Sequence, residues 1–91
     1  MEFDWDEGNL THIAEHGVSA EEVEYALERP TLELERQDWN EHEEYFQEAG
    51  MTGSGRILVV FTTWRGPKLR VVTAYDAPAH VVKEFFESRG R

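Results

Sequence analysis

Residues Ile57-Leu58-Val59-Val60-Phe61-Thr62-Thr63 form a nearly continuous apolar, β-branched run, and this run dictates what the rest of the chain has to do. A strand wetted on one face alternates apolar and polar residues, whereas a run without that alternation needs cover on both faces. It is therefore expected as the central strand of a sheet, with other elements packed above and below it. The chain has 91 residues, enough for one modest hydrophobic core and too few for a second. Residues 1–91 are read as a single domain, and any functional site has to lie on the surface of that one core.

The flanking segments supply the cover. Gly66-Pro67 makes a tight connection to Leu69-Arg70-Val71-Val72-Thr73-Ala74-Tyr75, the hairpin partner of the central strand. Strict alternation places Arg70, Val72 and Ala74 on one face of that partner and Leu69, Val71, Thr73 and Tyr75 on the other. Upstream, Leu32 and Leu34 alternate with Glu33 and Glu35, and a further strand is expected from Glu43 to Ala49, followed by a turn over Gly50–Gly55. At the start, Phe3 and Trp5 alternate with acids as a short half-buried strand. Asp6 can cap a first helix over roughly 7–16, with Leu10, Ile13 and Ala14 at helical spacing and Gly17 as its left-handed stop. Ser19-Ala20-Glu21-Glu22 is a capping box stapled by Val18 and Val23, and it opens a second helix over roughly 20–28 with Val23, Ala26 and Leu27 as its apolar stripe. Arg29-Pro30 ends that helix. Asp76 and Pro78 open a last helix whose core-facing residues are Val81, Val82, Phe85 and Phe86. The expected order is β-α-α, then an antiparallel sheet meander, then a C-terminal helix: an α+β domain.

With no cysteine, neither a disulfide framework nor a thiolate metal site is available, so packing alone has to stabilise the fold. The first residues carry neither the basic start nor the apolar stretch of a secretory signal, and no run approaches the roughly 18 apolar residues of a membrane span. Cytoplasm is the expected compartment, with no membrane partner. The formal charge of −10 argues against indiscriminate binding to polyanions. Its distribution says more. Residues 1–48 hold 16 acids against Arg29 and Arg36, whereas residues 49–75 hold four bases, Arg56, Arg65, Lys68 and Arg70, and no acid. If those bases share a face, this acidic chain has one anion-attracting patch.

Three constellations could carry chemistry. His12-Ile13-Ala14-Glu15-His16 matches the His-x-x-Glu-His zinc pattern, but a zinc site needs a third ligand and an open position. Histidines in a last helical turn are accounted for by the negative end of the helix dipole, so the pair is read as structural, with no metal. Around His42, Glu43 and Glu44, preceded by Trp39, an imidazole beside carboxylates could transfer protons, or the stretch could be a solvated strand edge. Arg56, Trp64, Arg65, Lys68 and Arg70, with Tyr75 beyond, could bind phosphate and stack a base, or Arg70 could pair with one of the many carboxylates. No Gly-rich phosphate loop and no cofactor fingerprint is present, so no cofactor is expected.

Phe3-Asp4-Trp5-Asp6, His16-Gly17-Val18-Ser19 with the acidic helix after it, His42-Glu43-Glu44 followed by Phe46, Gly55-Arg56-Ile57-Leu58-Val59-Val60-Phe61-Thr62, and Arg65 with Leu69-Arg70-Val71-Val72-Thr73-Ala74 together resemble the BrnT toxins. These are RelE-like domains of bacterial type II toxin–antitoxin pairs. The resemblance runs almost end to end. It implies a RelE-like fold and a metal-independent endoribonuclease in which the ribose 2′-hydroxyl attacks the adjacent phosphate. Arg65 and Arg70 would be the phosphate-stabilising cations, His42 or Glu43 the proton-transfer residues, and Arg56, Trp64, Lys68 and Tyr75 further RNA contacts, with Trp5 left to packing. It implies an RNA substrate and a protein antitoxin of the BrnA kind, no direct contact with DNA, and leaves a homo-oligomer open. Members commonly carry bases where this chain has Glu15, Tyr45 and Tyr75. The alternative reading is therefore a diverged, non-catalytic interaction module on the same fold, with its arginines already paired to acids.

Overall fold

The computed structural model describes residues 1–34 and 45–90. Helices α1 (Glu7–Glu15) and α2 (Ala20–Leu27) come first. They are followed by strands β1 (Leu32–Glu33), β2 (Phe46–Met51), β3 (Ile57–Arg65) and β4 (Lys68–Asp76) and helix α3 (Ala79–Arg89). The strands form one antiparallel sheet in the order β1-β2-β3-β4. None of the described helices is long and apolar enough to cross a membrane.

β3 is the inner strand that its sequence requires. Leu58 and Val60 pack with Ile13, Val18, Val23 and Leu27 of the α1–α2 segment on one face, while Ile57 and Val59 pack with Val81 and Phe85 of α3 on the other. The sheet is thus the middle of three layers. α2 follows its sequence closely: Ser19 Oγ accepts from the Glu22 amide, the Glu22 carboxylate accepts from the Ser19 amide, and Val23, Ala26 and Leu27 are buried. At its junction with α1, Gly17 has φ +70°, and the amides of Gly17 and Val18 donate to the carbonyls of Ala14 and Ile13. This is the left-handed helix stop that glycine permits without strain. Where α2 crosses the sheet, Gly50 lets the backbones approach; a Cβ there would lie 3.1 Å from the Ala26 Cβ and 3.2 Å from its carbonyl oxygen.

Five expectations change, the last of them in α1. The strand expected at Phe3 to Trp5 is a single parallel bridge between Phe3 and Leu69 on the outer edge of β4. Gly50 and Met51 continue β2, so the turn starts at Thr52 rather than Gly50. On α3, Val81 and Phe85 are buried but Phe86 is 50 % exposed, because the helix presents only one narrow stripe to the sheet. In β4, Phe61 pairs with Thr73 and Thr62 with Val71, which leaves Val72 as a bulge. The extra residue reverses the alternation beyond it. Ala74 therefore joins Leu69 and Val71 in the core beneath α1 and α2, while Tyr75 packs against Phe61 on the opposite face.

α1 buries Asn9 and Ile13, not Leu10 and Ala14. Asn9 is the buried polar residue that closes the edge of β4. Its Nδ2 donates to the carbonyls of Asp4 (2.9 Å) and Val71 (3.1 Å), and its Oδ1 accepts from the Asp6 amide (2.8 Å). Upstream, the Asp4 amide donates to Leu69 and the Leu69 amide to Glu2, each at 2.9 Å. Removing the Asn9 side chain would strand the Val71 carbonyl without a partner. Asn9→Ala is expected to lower the unfolding free energy by about 2–3 kcal/mol, and Asn9→Asp, which sets an acceptor against two carbonyls, by more. Denaturant unfolding of the two variants measures this, and a loss under about 0.5 kcal/mol in Asn9→Ala would contradict the role given to Asn9.

Candidate nucleic-acid interface

The β-bulge and the β3–β4 hairpin decide which bases meet. Thr63 pairs with Arg70, and Arg65 with Lys68, so Arg65, Lys68 and Arg70 gather at the hairpin end of the sheet. Arg65 and Arg70, two residues apart in register across the hairpin, share one face. α3 covers that face only farther along, over Ile57 and Val59. At this end of the sheet an open groove of about 690 Å³ is lined by Tyr45, Thr63, Trp64, Arg65 and Arg70 and by Gly8, Asn9 and His12 of the α1 segment.

The cations in it are unequal. Arg65 is exposed and makes no ion pair with any described residue. Among the described residues Lys68 makes only a loose pair, with Glu2 at 3.9 Å. Arg70 is held in a fork, with Nη1 donating to Asp6 Oδ2 at 2.9 Å and Nη2 to Asp6 Oδ1 at 3.2 Å, while Asp4 Oδ2 lies 3.5 Å from Nη1. The same Asp6 Oδ1 caps α1 by accepting from the Asn9 amide. Hydrogen bonds from Arg70, and then from the Asn9 amide, hold the Asp6 carboxyl below its usual range, and the Asp6 carboxylate raises the Arg70 guanidinium. Trp64, 53 % exposed, presents an apolar surface beside these bases.

Arg56 stands apart, at the far end of β3. Its guanidinium donates to Asp76, to both carboxylate oxygens of Glu22, and to the carbonyls of Gly17 and His16. It ties the α1–α2 junction to the sheet. The Ser19 amide, with Arg56, lowers the Glu22 carboxyl, and Arg56 lowers Asp76. Tyr75 lies beyond the bulge, 6.1 Å from the His16 ring and 6.2 Å from that of Phe61, and lines a second groove with Val59, Pro78 and Val81. Trp5 packs against the core and donates from Nε1 to Glu24 at 2.7 Å. Of the residues singled out in the sequence, the structure therefore brings Arg65, Arg70 and Trp64 together, sets Lys68 at the rim, and places Arg56 and Tyr75 elsewhere. Trp39, His42, Glu43 and Glu44 lie outside the described residues.

His12 is the groove residue that sequence reasoning set aside. Its ring stands edge-on to His16 with 5.4 Å between centroids. Among the described residues no group of three or more His, Cys, Asp or Glu side chains is placed to hold a metal ion. A signal for the groove was present in the i, i+3 spacing of Asn9 and His12, which puts His12 on the side of α1 that Asn9 anchors to β4.

The family model described as "Ribonuclease toxin, BrnT, of type II toxin-antitoxin system" matches residues 5–80. Neither a curated protein nor a solved structure matches the chain.

The three lowered carboxyls give the domain an acid limit. A carboxyl whose folded-state pKa is depressed contributes stability fully above its unfolded value, near pH ~4, and loses it as the pH falls through the folded value. Unfolding midpoints are expected to be flat near neutrality and to fall below about pH 4, with a shallower fall in Asp6→Asn and Asp76→Asn than in the wild type. Denaturant midpoints taken across pH test this; equal slopes in all three proteins would remove these pairs from the account.

Proposed function

We propose, from the premise that this chain belongs to the BrnT family of ribonuclease toxins of type II toxin–antitoxin systems, that its groove binds and cleaves RNA. The observation that carries the reading is the convergence of Arg65, Arg70 and the exposed Trp64 on one open groove in a chain that is otherwise strongly acidic. The domain is read as RelE-like, and the reaction as metal-independent endonucleolysis. The ribose 2′-hydroxyl supplies the nucleophile, so the protein has to orient the strand, move protons and neutralise charge on the phosphoryl oxygens.

Arg65 supplies a guanidinium without a competing carboxylate among the described residues, and Arg70 supplies one pre-set by Asp6. A planar guanidinium matches two phosphoryl oxygens at once. As the phosphorus becomes pentacoordinate, charge grows on those oxygens, and a fixed cation binds that state better than the ground state. Trp64 offers a face on which a base can stack, and Lys68 a further phosphate contact at the rim. His42 or Glu43 is proposed for proton transfer on the family resemblance. An antitoxin of the BrnA kind would neutralise the enzyme by covering this basic groove.

The pairing of Arg70 with Asp4 and Asp6, and of Arg56 with Glu22 and Asp76, favours a second reading, a non-catalytic interaction module. One assay separates the two. Purified protein is incubated with a mixed single-stranded RNA in excess EDTA, beside Arg65→Ala and Arg70→Ala, and product ends are analysed. The ribonuclease reading expects 2′,3′-cyclic phosphate ends from the wild type and a loss of roughly 10²–10³-fold in Arg65→Ala, whose exposed side chain leaves the fold intact. An intact RNA in every lane would leave the interaction module as the reading.

A further inference from the structure

We infer that His12 is the general base of the groove, the group that takes the proton from the attacking ribose 2′-hydroxyl. The inference rests on the ribonuclease reading and goes beyond it by assigning the proton acceptor to helix α1, opposite the arginines.

A nucleophile activated in the groove needs an acceptor that is unprotonated near neutral pH and faces the same space as the phosphate-binding cations. Of the described carboxylates next to the groove, Asp6 holds Arg70 and the α1 cap, and Asp4 lies against Arg70. Among the described residues, His12 is the one histidine lining the groove. It is exposed, and neither ring nitrogen makes a hydrogen bond to another described residue. An imidazole titrates in the neutral range and can act as a base there.

Its placement is built in rather than incidental. Asn9, one turn earlier on α1, is buried and bonded to the Val71 carbonyl, which fixes the helix against β4 at the bulge. The bulge residue Val72 lines the same groove. The His16 ring lies edge-on to it from the next turn. The charged and titratable groups around His12 among the described residues are His16 and Glu15 on α1, Arg65 on β3, Arg70 on β4, and Tyr45.

The step balances without another redox or metal partner. His12 accepts the 2′-hydroxyl proton as the bond from O2′ to phosphorus forms. The bond from phosphorus to O5′ breaks, and O5′ takes a proton from the other proton-transfer group, for which His42 or Glu43 is proposed above. The products are a 2′,3′-cyclic phosphate and a 5′-hydroxyl, and the imidazolium returns its proton to solvent.

The test is the pH dependence of kcat/KM for cleavage of a single-stranded RNA in EDTA, for the wild type, His12→Ala, His12→Gln and the control His16→Ala. The wild-type rate is expected to rise with pH through an apparent pKa in the imidazole range. Both His12 variants should lose roughly 10²–10⁴-fold and that rising limb, and added imidazole should restore part of the rate to His12→Ala in proportion to its unprotonated fraction. Binding of the same RNA with 2′-deoxyribose at the cleavage site should change less than about threefold in the variants, and His16→Ala should keep the rising limb. Wild-type-like cleavage with an unchanged pH profile in His12→Ala would overturn the role of His12 and leave the ribonuclease reading intact. A wild type that cleaves no RNA would overturn both.

Discussion

The outer edge of β4 has to be closed, and the way residues 2–9 close it determines the rest of the molecule. An open edge strand exposes a row of unpaired backbone groups. Here the Glu2 carbonyl and Asp4 amide pair with Leu69, and the Asn9 side chain takes the Val71 carbonyl. The chain that does this arrives at Asp6, which starts α1 and clasps Arg70 in the same step. One short segment thereby sets the position of a helix, the register of a strand and the orientation of a guanidinium. The groove is the space left between these three.

Net charge and local charge act on different length scales in such a protein. At −10 the far field repels RNA, and screening confines it to about 8–10 Å at physiological salt. Inside the groove the local cations are Arg65, which makes no ion pair among the described residues, and the fixed Arg70. Recognition on this plan is short-ranged, resting on direct guanidinium–phosphate geometry and on Trp64, with little electrostatic steering. The acids are put to structural use where they meet those bases: Glu22 and Asp76 hold Arg56, and Asp4 and Asp6 hold Arg70.

What could be read from the sequence was whatever depends on local pattern. The apolar run of β3 announced a strand covered on both faces, Ser19 and Glu22 announced the start of α2, and Gly17 announced the end of α1. What could not be read depends on one residue's displacement or on long-range contact. The Val72 bulge inverts a period of two that looks unbroken from Leu69 to Tyr75, and it turns Tyr75 onto the same face of the sheet as Arg70, farther along the strand. The sequence offers no glycine or proline there to mark it. Asn9 carries no local signal in the sequence, because its partners, Asp4 and Val71, are set by tertiary structure. Four bases in a row of 27 residues looked like one patch, yet strand length carries Arg56 to the opposite end of β3 from Arg65. His12 looked like half of a metal pattern or a helix-end charge, and only the docking of α1 on β4 turns it toward the arginines.

The central claim is that RNA enters the groove between α1 and the β3–β4 hairpin. The most direct measurement is a nuclear magnetic resonance titration of the isotope-labelled protein with a short single-stranded RNA made uncleavable by 2′-deoxyribose. The account predicts saturable shifts concentrated on the Arg65 and Arg70 side chains, the Trp64 indole and the His12 ring, with the Arg56 side chain unmoved. Shifts clustered instead around Arg56 and Tyr75, or none at saturating RNA, would contradict it.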